Sequence, residues 1–83
     1  MSNNEQLFRV VASIFKVDLS SINELSSPDT LEAWDSLGMV QLVVELEQVF
    51  NVKFNILEIA DFYSVGIIKT VLAEKGVDFD KIL

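Results

Sequence analysis

The first apolar residues of the chain recur with the period of a helix. Five of them fall at positions i, i+3, i+4, i+7 and i+8: Leu7, Val10, Val11, Ile14 and Phe15. This spacing puts them on one face and predicts an amphipathic helix from about residue 4 to about residue 16. Asn3 or Asn4 can cap its start, and Glu5 suits the positive end of the helix dipole.

Residues 17–34 show no such period and hold four serines and the only proline, Pro28. A connection of this length is uncommon in a small domain and tends to be functional. Five apolar residues are spaced through it: Leu19, Ile22, Leu25, Leu31 and Trp34. They predict a loop that is pinned to the helices and is not a free linker.

The segment from about residue 36 to about residue 50 carries two apolar stripes. The first, which accounts for a core face, is Met39, Leu42, Val43, Leu46 and Phe50. The second lies to one side of it and consists of Leu37, Val40 and Val44, at i, i+3 and i+7. A helix that is apolar over most of its circumference is either buried on most sides or presents an adhesive face. The pattern alone leaves both interpretations of the second stripe open.

The rest of the chain predicts one short helix and one longer helix. The short one spans about residues 56–61, and the longer one starts at Ser64 as N-cap and ends near Gly76. The last apolar stripe is Val65, Ile68, Val71 and Leu72. The tail, residues 77–83, is ambiguous and is expected to fray. The fold class is therefore a small all-α bundle, with three main helices, one short helix and a long first loop, in a single domain over residues 1–83.

Composition then narrows the function. The 83 residues include no His and no Cys, and 13 Asp and Glu stand against 6 Lys and Arg, a net charge of −7. Without His or Cys there is no thiolate zinc site, iron–sulfur cluster, disulfide or thiol nucleophile, and we expect no metal. A binding module, a carrier or a carboxylate-only enzyme remains. An acidic chain does not suit nucleic acid, and no secretory signal or membrane-spanning run is visible, so we expect a cytoplasmic protein without membrane insertion.

The negative charge is concentrated in the middle of the chain. Residues 18–61 hold nine acids and one base, Lys53, for a net charge of −8. Solubility alone would explain such a run, and so would a docking face for basic partners. The count does not choose between them.

Candidate chemistry lies where the long loop meets the second helix, in the sequence Trp34-Asp35-Ser36-Leu37-Gly38. One interpretation is structural: Asp35 or Ser36 caps the helix and Trp34 packs on the core. The functional one is a modified serine, because an anion esterified to Ser36 would sit at a helix N-terminus. A catalytic Ser36 is disfavoured, since the chain has no His, the nearest later lysine is seventeen residues on, and no Gly-x-Ser-x-Gly elbow is present.

The run from Asp35 to Phe50, Asp-Ser-Leu followed by a Leu-x-x-x-Leu-Glu-x-x-Phe helix, resembles the acyl carrier protein family. The order of elements and the later Asp-Phe-x-Ser-Val at residues 61–65 are also similar, and the resemblance covers about residues 5–76. It implies 4′-phosphopantetheine attached to Ser36 through a phosphodiester, with the neighbouring Asp35 and Leu37 as further cofactor-binding residues. The donor would be coenzyme A, and a separate phosphopantetheinyl transferase would catalyse the attachment.

The resemblance also implies a carrier that is not itself an enzyme. The carrier would be a monomer and would hold acyl groups as thioesters. It would present them to the synthases, ligases and transferases that load and process them. The second helix is the recognition helix of the family. By position, the implied partner-binding residues are Leu37, Val40, Val44, Glu47, Glu58 and Asp61.

Three positions depart from the family pattern. Trp34 stands where many members have Gly or Ala, and Gln41 and Gln48 stand where many have acids. The chain therefore looks less like the carriers of fatty-acid synthesis and more like those of specialised pathways for polyketides, modified amino acids or surface polysaccharides. Two alternatives stay open: an aminoacyl or peptidyl carrier, and a helical protein-interaction domain without a prosthetic group.

Overall fold

A computed structural model describes residues 2–32 and 34–79, and within these ranges it contains four α-helices and no strand. The helices are α1 (Asn3–Phe15), α2 (Ser36–Phe50), α3 (Ile56–Ala60) and α4 (Val65–Glu74), and a short 3-10 helix occupies Leu19–Ser21. The predicted all-α bundle of three main helices and one short helix is confirmed.

The start of α1 differs from the prediction by one residue. Its N-cap is Ser2, whose hydroxyl accepts a hydrogen bond from the Glu5 N–H. Asn3 and Asn4 already lie inside the helix, so the predicted caps are wrong. The Asn3 side chain instead donates to the Asp78 carbonyl at 2.9 Å, which joins the start of α1 to the segment after α4.

The other helix boundaries follow local signals. Ser64 caps α4 by accepting from the Ile67 N–H, as predicted. Asn55 begins α3 with a reciprocal capping box, in which Asn55 and Glu58 each accept from the other's backbone N–H. Gly76 follows α4 with φ +99°, a conformation that glycine adopts without steric penalty.

The core lies where α1, α2 and α4 face one another. Its fully buried side chains are Phe62, Leu7, Leu42, Leu46, Ile68, Leu72, Val11 and Val65. Phe62 meets Phe54 edge to face, with ring centroids 5.1 Å apart. The side chains predicted from the periodicity of α1, α2 and α4 supply most of this core.

The long loop is anchored at three of the five predicted positions. Ile22, Leu31 and Trp34 are buried, but Leu19 is 36% exposed and Leu25 is 84% exposed. The prediction that these two leucines anchor the loop is wrong. At Leu25 the loop docks through its backbone instead. The carbonyls of the residues on either side of Leu25 both turn towards α4, and the Leu25 side chain is left in solvent.

That backbone docking occupies the free N–H groups at the start of α4. The Val65 N–H donates to the Ser26 carbonyl and the Gly66 N–H to the Glu24 carbonyl, each at 2.9 Å. A side chain at Gly66 would place its Cβ 3.2 Å from the Glu24 carbonyl oxygen, so the close approach favours glycine. The ion pair of Glu24 with Lys69, at 2.8 Å, adds a side-chain contact to the same junction.

Val77, Asp78 and Phe79 follow α4 without helical structure, whereas residues 80–83 of the predicted frayed tail lie outside the described residues. In the described part of the chain, no helix has the length and apolar character needed to cross a bilayer.

Candidate functional site

Ser36 is the first residue of α2, directly after the N-cap. The cap itself is Asp35, whose Oδ1 accepts a hydrogen bond from the Gly38 N–H at 2.8 Å. The Asp35 carbonyl then accepts the Met39 N–H, also at 2.8 Å. The sequence is compatible with either Asp35 or Ser36 as the N-cap of α2, and in the structure the N-cap is Asp35.

This division of roles frees the Ser36 hydroxyl. Three serines stand at helix starts, and the hydroxyls of Ser2 and Ser64 are used as caps. Ser36 is exposed, and among the residues that the structure describes its hydroxyl has no hydrogen-bond partner. Of these three serines, Ser36 is therefore the one whose oxygen is open to modification.

Trp34 anchors the chain immediately before the site. It is only 4% exposed, and its indole ring stacks on Phe15 with centroids 5.3 Å apart and planes 24° apart. Its backbone N–H donates to the Leu31 carbonyl at 3.0 Å. The predicted packing of Trp34 on the core is confirmed, so an exposed serine follows two residues after a firmly buried anchor.

The indole N–H of Trp34 is a polar group whose hydrogen-bonding capacity is unused. Its Nε1 is buried and has no hydrogen-bond partner. A buried donor without an acceptor costs stability, about 1–3 kcal/mol. Nothing in the sequence signalled this, because pattern reasoning places a side chain in the core without locating its polar atom.

A family model described as the phosphopantetheine attachment site matches residues 5–72, most of the chain. The chain belongs to this family. The phosphopantetheine attachment domain carries 4′-phosphopantetheine covalently and acts as a carrier, and such carriers interact with the enzymes that modify and process them. A search of the curated proteins found no match to the chain.

The start of α2 fits this prosthetic group. An attached phosphodiester would be an anion beside the first-turn N–H groups of Ser36 and Leu37, because Asp35 occupies the N–H of Gly38. The Asp35 carboxylate would repel the same anion, and the exposure of Ser36 moderates that repulsion because water screens it. Ser36 lies within the matched residues.

The second apolar stripe of the phosphopantetheine attachment domain is exposed. Leu37, Val40 and Val44 are 67%, 59% and 48% exposed, whereas Leu42 and Leu46 on the core stripe are fully buried. Of the two interpretations that the sequence left open, the structure selects the exposed one. The three side chains form one surface that continues along α2 from Leu37, the residue after Ser36.

The candidate partner acids are differently placed. The Glu47 side chain accepts the Phe54 N–H at 2.9 Å and is half-buried. Glu58 pairs with Lys75 at 2.9 Å in addition to its capping role, and Asp61 is exposed at the end of α3. Glu47 and Glu58 thus stabilise the turn and the short helix after α2. Sequence spacing did not reveal the Glu47–Phe54 and Glu58–Lys75 contacts, because each joins residues of different elements.

The pKa of Glu58 is lowered chiefly by the hydrogen bond from Lys75, and also by the Asn55 N–H. We expect Lys75→Met to raise the Glu58 pKa towards its ordinary value, as measured by an NMR titration of the side-chain carboxyl carbon. Because the pKa of Glu58 is lower in the folded chain, the ionised Glu58 side chain contributes to stability above its unfolded-state pKa of about 4.3. This contribution is lost as the pH falls through the folded-state pKa.

Lys69→Met is the matched control for this titration, since Lys69 pairs with Glu24 and not with Glu58. It should leave the Glu58 pKa unchanged. Equal shifts in the two variants would contradict a specific Lys75–Glu58 interaction.

Proposed function

We propose that this chain is an acyl carrier protein whose 4′-phosphopantetheine is attached to the hydroxyl of Ser36. The observation that carries the proposal is the exposed Ser36 oxygen, which is released from capping by Asp35 and lies inside the family match. A separate phosphopantetheinyl transferase forms the phosphodiester with coenzyme A as donor. The chain itself does no catalysis.

The roles of the neighbouring residues follow from their positions. Asp35 holds the first turn of α2 in place, and the N–H groups of Ser36 and Leu37 stabilise the phosphodiester anion. Trp34 fixes the backbone that leads into the turn. When bound, the prosthetic group supplies the thiol that holds acyl groups as thioesters, which the chain cannot supply because it has no cysteine.

The enzymes that load and process the acyl group contact α2. Leu37, Val40 and Val44 are the apolar contacts, since they are exposed and begin one residue after Ser36. Asp61 is the acid best placed for an added polar contact, because its side chain is exposed. Glu47 and Glu58 contribute mainly by holding the adjoining turn and α3, and the protein works as a monomer.

A second candidate is an aminoacyl or peptidyl carrier, which uses the same attachment. The exposed Gln41 and Gln48 favour a specialised pathway, because many carriers of the resembled family have acids at these positions. The family match favours either carrier over an interaction domain without a prosthetic group. The acyl or aminoacyl mass on protein purified from its native host distinguishes the two carriers.

The direct test is the intact mass of the apo protein after incubation with coenzyme A and a broad-specificity phosphopantetheinyl transferase. We expect a gain of one phosphopantetheine group, and peptide mapping should locate it on the peptide that contains Ser36. A known carrier is treated in parallel. If that carrier is modified and this chain is not, the proposal is wrong.

A further inference from the structure

A groove lies between the end of α1 and the long loop, and its lining is separate from the exposed stripe of α2. Its floor is apolar and consists of Phe15, Val17 and Leu31, of which Phe15 and Leu31 also belong to the core. Three exposed loop residues form its polar rim: Asp29, Thr30 and Glu32. The groove has a volume of about 590 Å³, within the range of small-molecule pockets, about 300–1,000 Å³.

The groove lies within reach of a group attached to Ser36. Trp34 stacks on Phe15, which lines the groove. The Trp34 N–H donates to the Leu31 carbonyl at 3.0 Å, and a turn closed in this way holds the two Cα atoms within about 7 Å of each other. Ser36 follows Trp34 by two residues, so their Cα atoms are also within about 7 Å. The Cα atoms of Ser36 and Leu31 are therefore at most about 14 Å apart.

An extended 4′-phosphopantetheine arm spans this separation. About thirteen bonds join its phosphorus to its sulfur, and an advance of about 1.2 Å per bond gives a length of about 16 Å. Because the arm is tethered at Ser36, its cargo is present over the groove at a high effective concentration, roughly millimolar for a short flexible tether. Contacts that would be too weak to hold a free ligand are therefore sufficient to hold a tethered one.

The rim offers two carboxylates that the described part of the fold does not use. The side chains of Asp29 and Glu32 form no hydrogen bond or ion pair with another described residue. The Thr30 hydroxyl, in contrast, is occupied, because it accepts the Ser27 N–H at 3.0 Å and donates to the Ser27 carbonyl at 3.1 Å. The polar groups that remain available at the rim are therefore negatively charged.

We propose that this groove holds the cargo end of the loaded arm and that its acidic rim favours an aminoacyl group. The proposal rests on the proposed function, because the cargo arrives on the arm attached to Ser36. The apolar part of the cargo covers the floor at Val17 and Leu31, and its ammonium group lies beside Asp29 and Glu32. The cargo of the carrier is thereby narrowed to the aminoacyl class.

Charge separates three classes of cargo at this groove. A neutral acyl group gains only from covering the apolar floor, and an acyl group that ends in a carboxylate is repelled by Asp29 and Glu32. An aminoacyl group gains from both the floor and the rim. Because ion pairs at exposed positions are weak, we expect a preference of about twofold to fourfold for the aminoacyl group over its neutral analogue.

The test compares three cargoes on the isotope-labelled chain. A broad-specificity transferase loads the apo protein from valyl-, isovaleryl- or succinyl-coenzyme A, and the first two cargoes differ only by the amino group. At about pH 6, below the usual α-amino pKa of about 7.7–8.0, the valyl group carries an ammonium. The NMR shifts of the Val17, Thr30 and Leu31 amides, relative to the holo protein without cargo, should be about twofold to fourfold larger with valyl than with isovaleryl. With succinyl they should be the smallest.

Two variants remove the charges of the rim. In the combined Asp29→Asn and Glu32→Gln variant, the valyl shifts should fall to the isovaleryl value. Glu74→Gln, at an exposed acid of α4 outside the groove lining, is the matched control for Glu32→Gln and should leave the valyl shifts unchanged. In the unaltered chain, added salt should lower the valyl shifts and leave the isovaleryl shifts unchanged, because exposed charges are screened. If the combined variant keeps the valyl preference, the rim does not select the cargo and the proposal is overturned.

Nuclear Overhauser effects from the methyl groups of the valyl cargo locate it without any variant. We expect them to reach the methyl groups of Val17 and Leu31. Their absence, or shifts confined to α2, would refute the groove. These outcomes are separate from those of the proposed function: if the chain gains no phosphopantetheine group, the carrier assignment itself fails, whereas a chain that is loaded at Ser36 without any change in the groove remains a carrier and overturns only the present proposal.

Discussion

Ser36→Ala is expected to abolish the phosphopantetheine mass gain completely. The substitution removes the one oxygen to which the group is proposed to be attached, so no residual modification should be detected at any transferase concentration. The fold should not change, because Asp35 caps α2 and the Ser36 hydroxyl makes no hydrogen bond to the described residues. We expect a stability change within about 0.5 kcal/mol, in the range of exposed substitutions.

Two other serines serve as controls. Ser20→Ala alters an exposed loop serine and should leave both the mass gain and the stability unchanged. Ser64→Ala removes the cap of α4, which should cost about 1 kcal/mol while the mass gain persists. A full mass gain in Ser36→Ala would show that another residue carries the group. Loss of the gain in Ser64→Ala, with the protein still folded, would point to Ser64.

The elements that sequence reasoning placed correctly are those specified by local chemistry. The periodicity of α1 and α2 identified their buried faces, and Ser64 and Gly76 marked the ends of α4. The local geometry at Ser36 was also predictable, because Asp-Ser-Leu at the start of a long helix contains both the cap and the exposed hydroxyl within three residues. The resemblance then supplied the prosthetic group, which spacing alone could not supply.

Tertiary contacts decided the features that the sequence did not predict. The apolar spacing predicts that Leu25 anchors the loop, yet its side chain is exposed and the loop docks on α4 through the carbonyls of Glu24 and Ser26. The sequence predicts Glu47 as an acid available to partners, yet its side chain accepts the Phe54 N–H. A charge count treats every carboxylate alike, whereas the fold uses those of Asp35, Glu47 and Glu58 as hydrogen-bond acceptors for backbone N–H groups.

Trp34→Ala is expected to destabilise the domain by about 3–5 kcal/mol, the range for deleting a buried large aromatic side chain. The indole is 4% exposed, stacks on Phe15 at the end of α1, and holds the loop directly before Asp35. Because small domains have a free energy of unfolding of about 5–15 kcal/mol, the variant should unfold at much lower denaturant concentration. Urea titration followed by far-UV circular dichroism measures this, since the variant has lost the only tryptophan. Leu25→Ala, in the same loop but in solvent, should change stability by less than about 0.5 kcal/mol.

Trp34→Phe separates the packing of the ring from the cost of its polar atom. Phenylalanine retains an aromatic ring against Phe15 and removes the Nε1 donor that has no acceptor. The gain from removing a buried unpaired donor, about 1–3 kcal/mol, opposes the loss from the smaller ring. We therefore expect Trp34→Phe to cost less than half as much as Trp34→Ala. If the two variants are equally destabilised, the indole N–H makes a stabilising hydrogen bond, and the anchor before Ser36 is held by that bond and not by stacking.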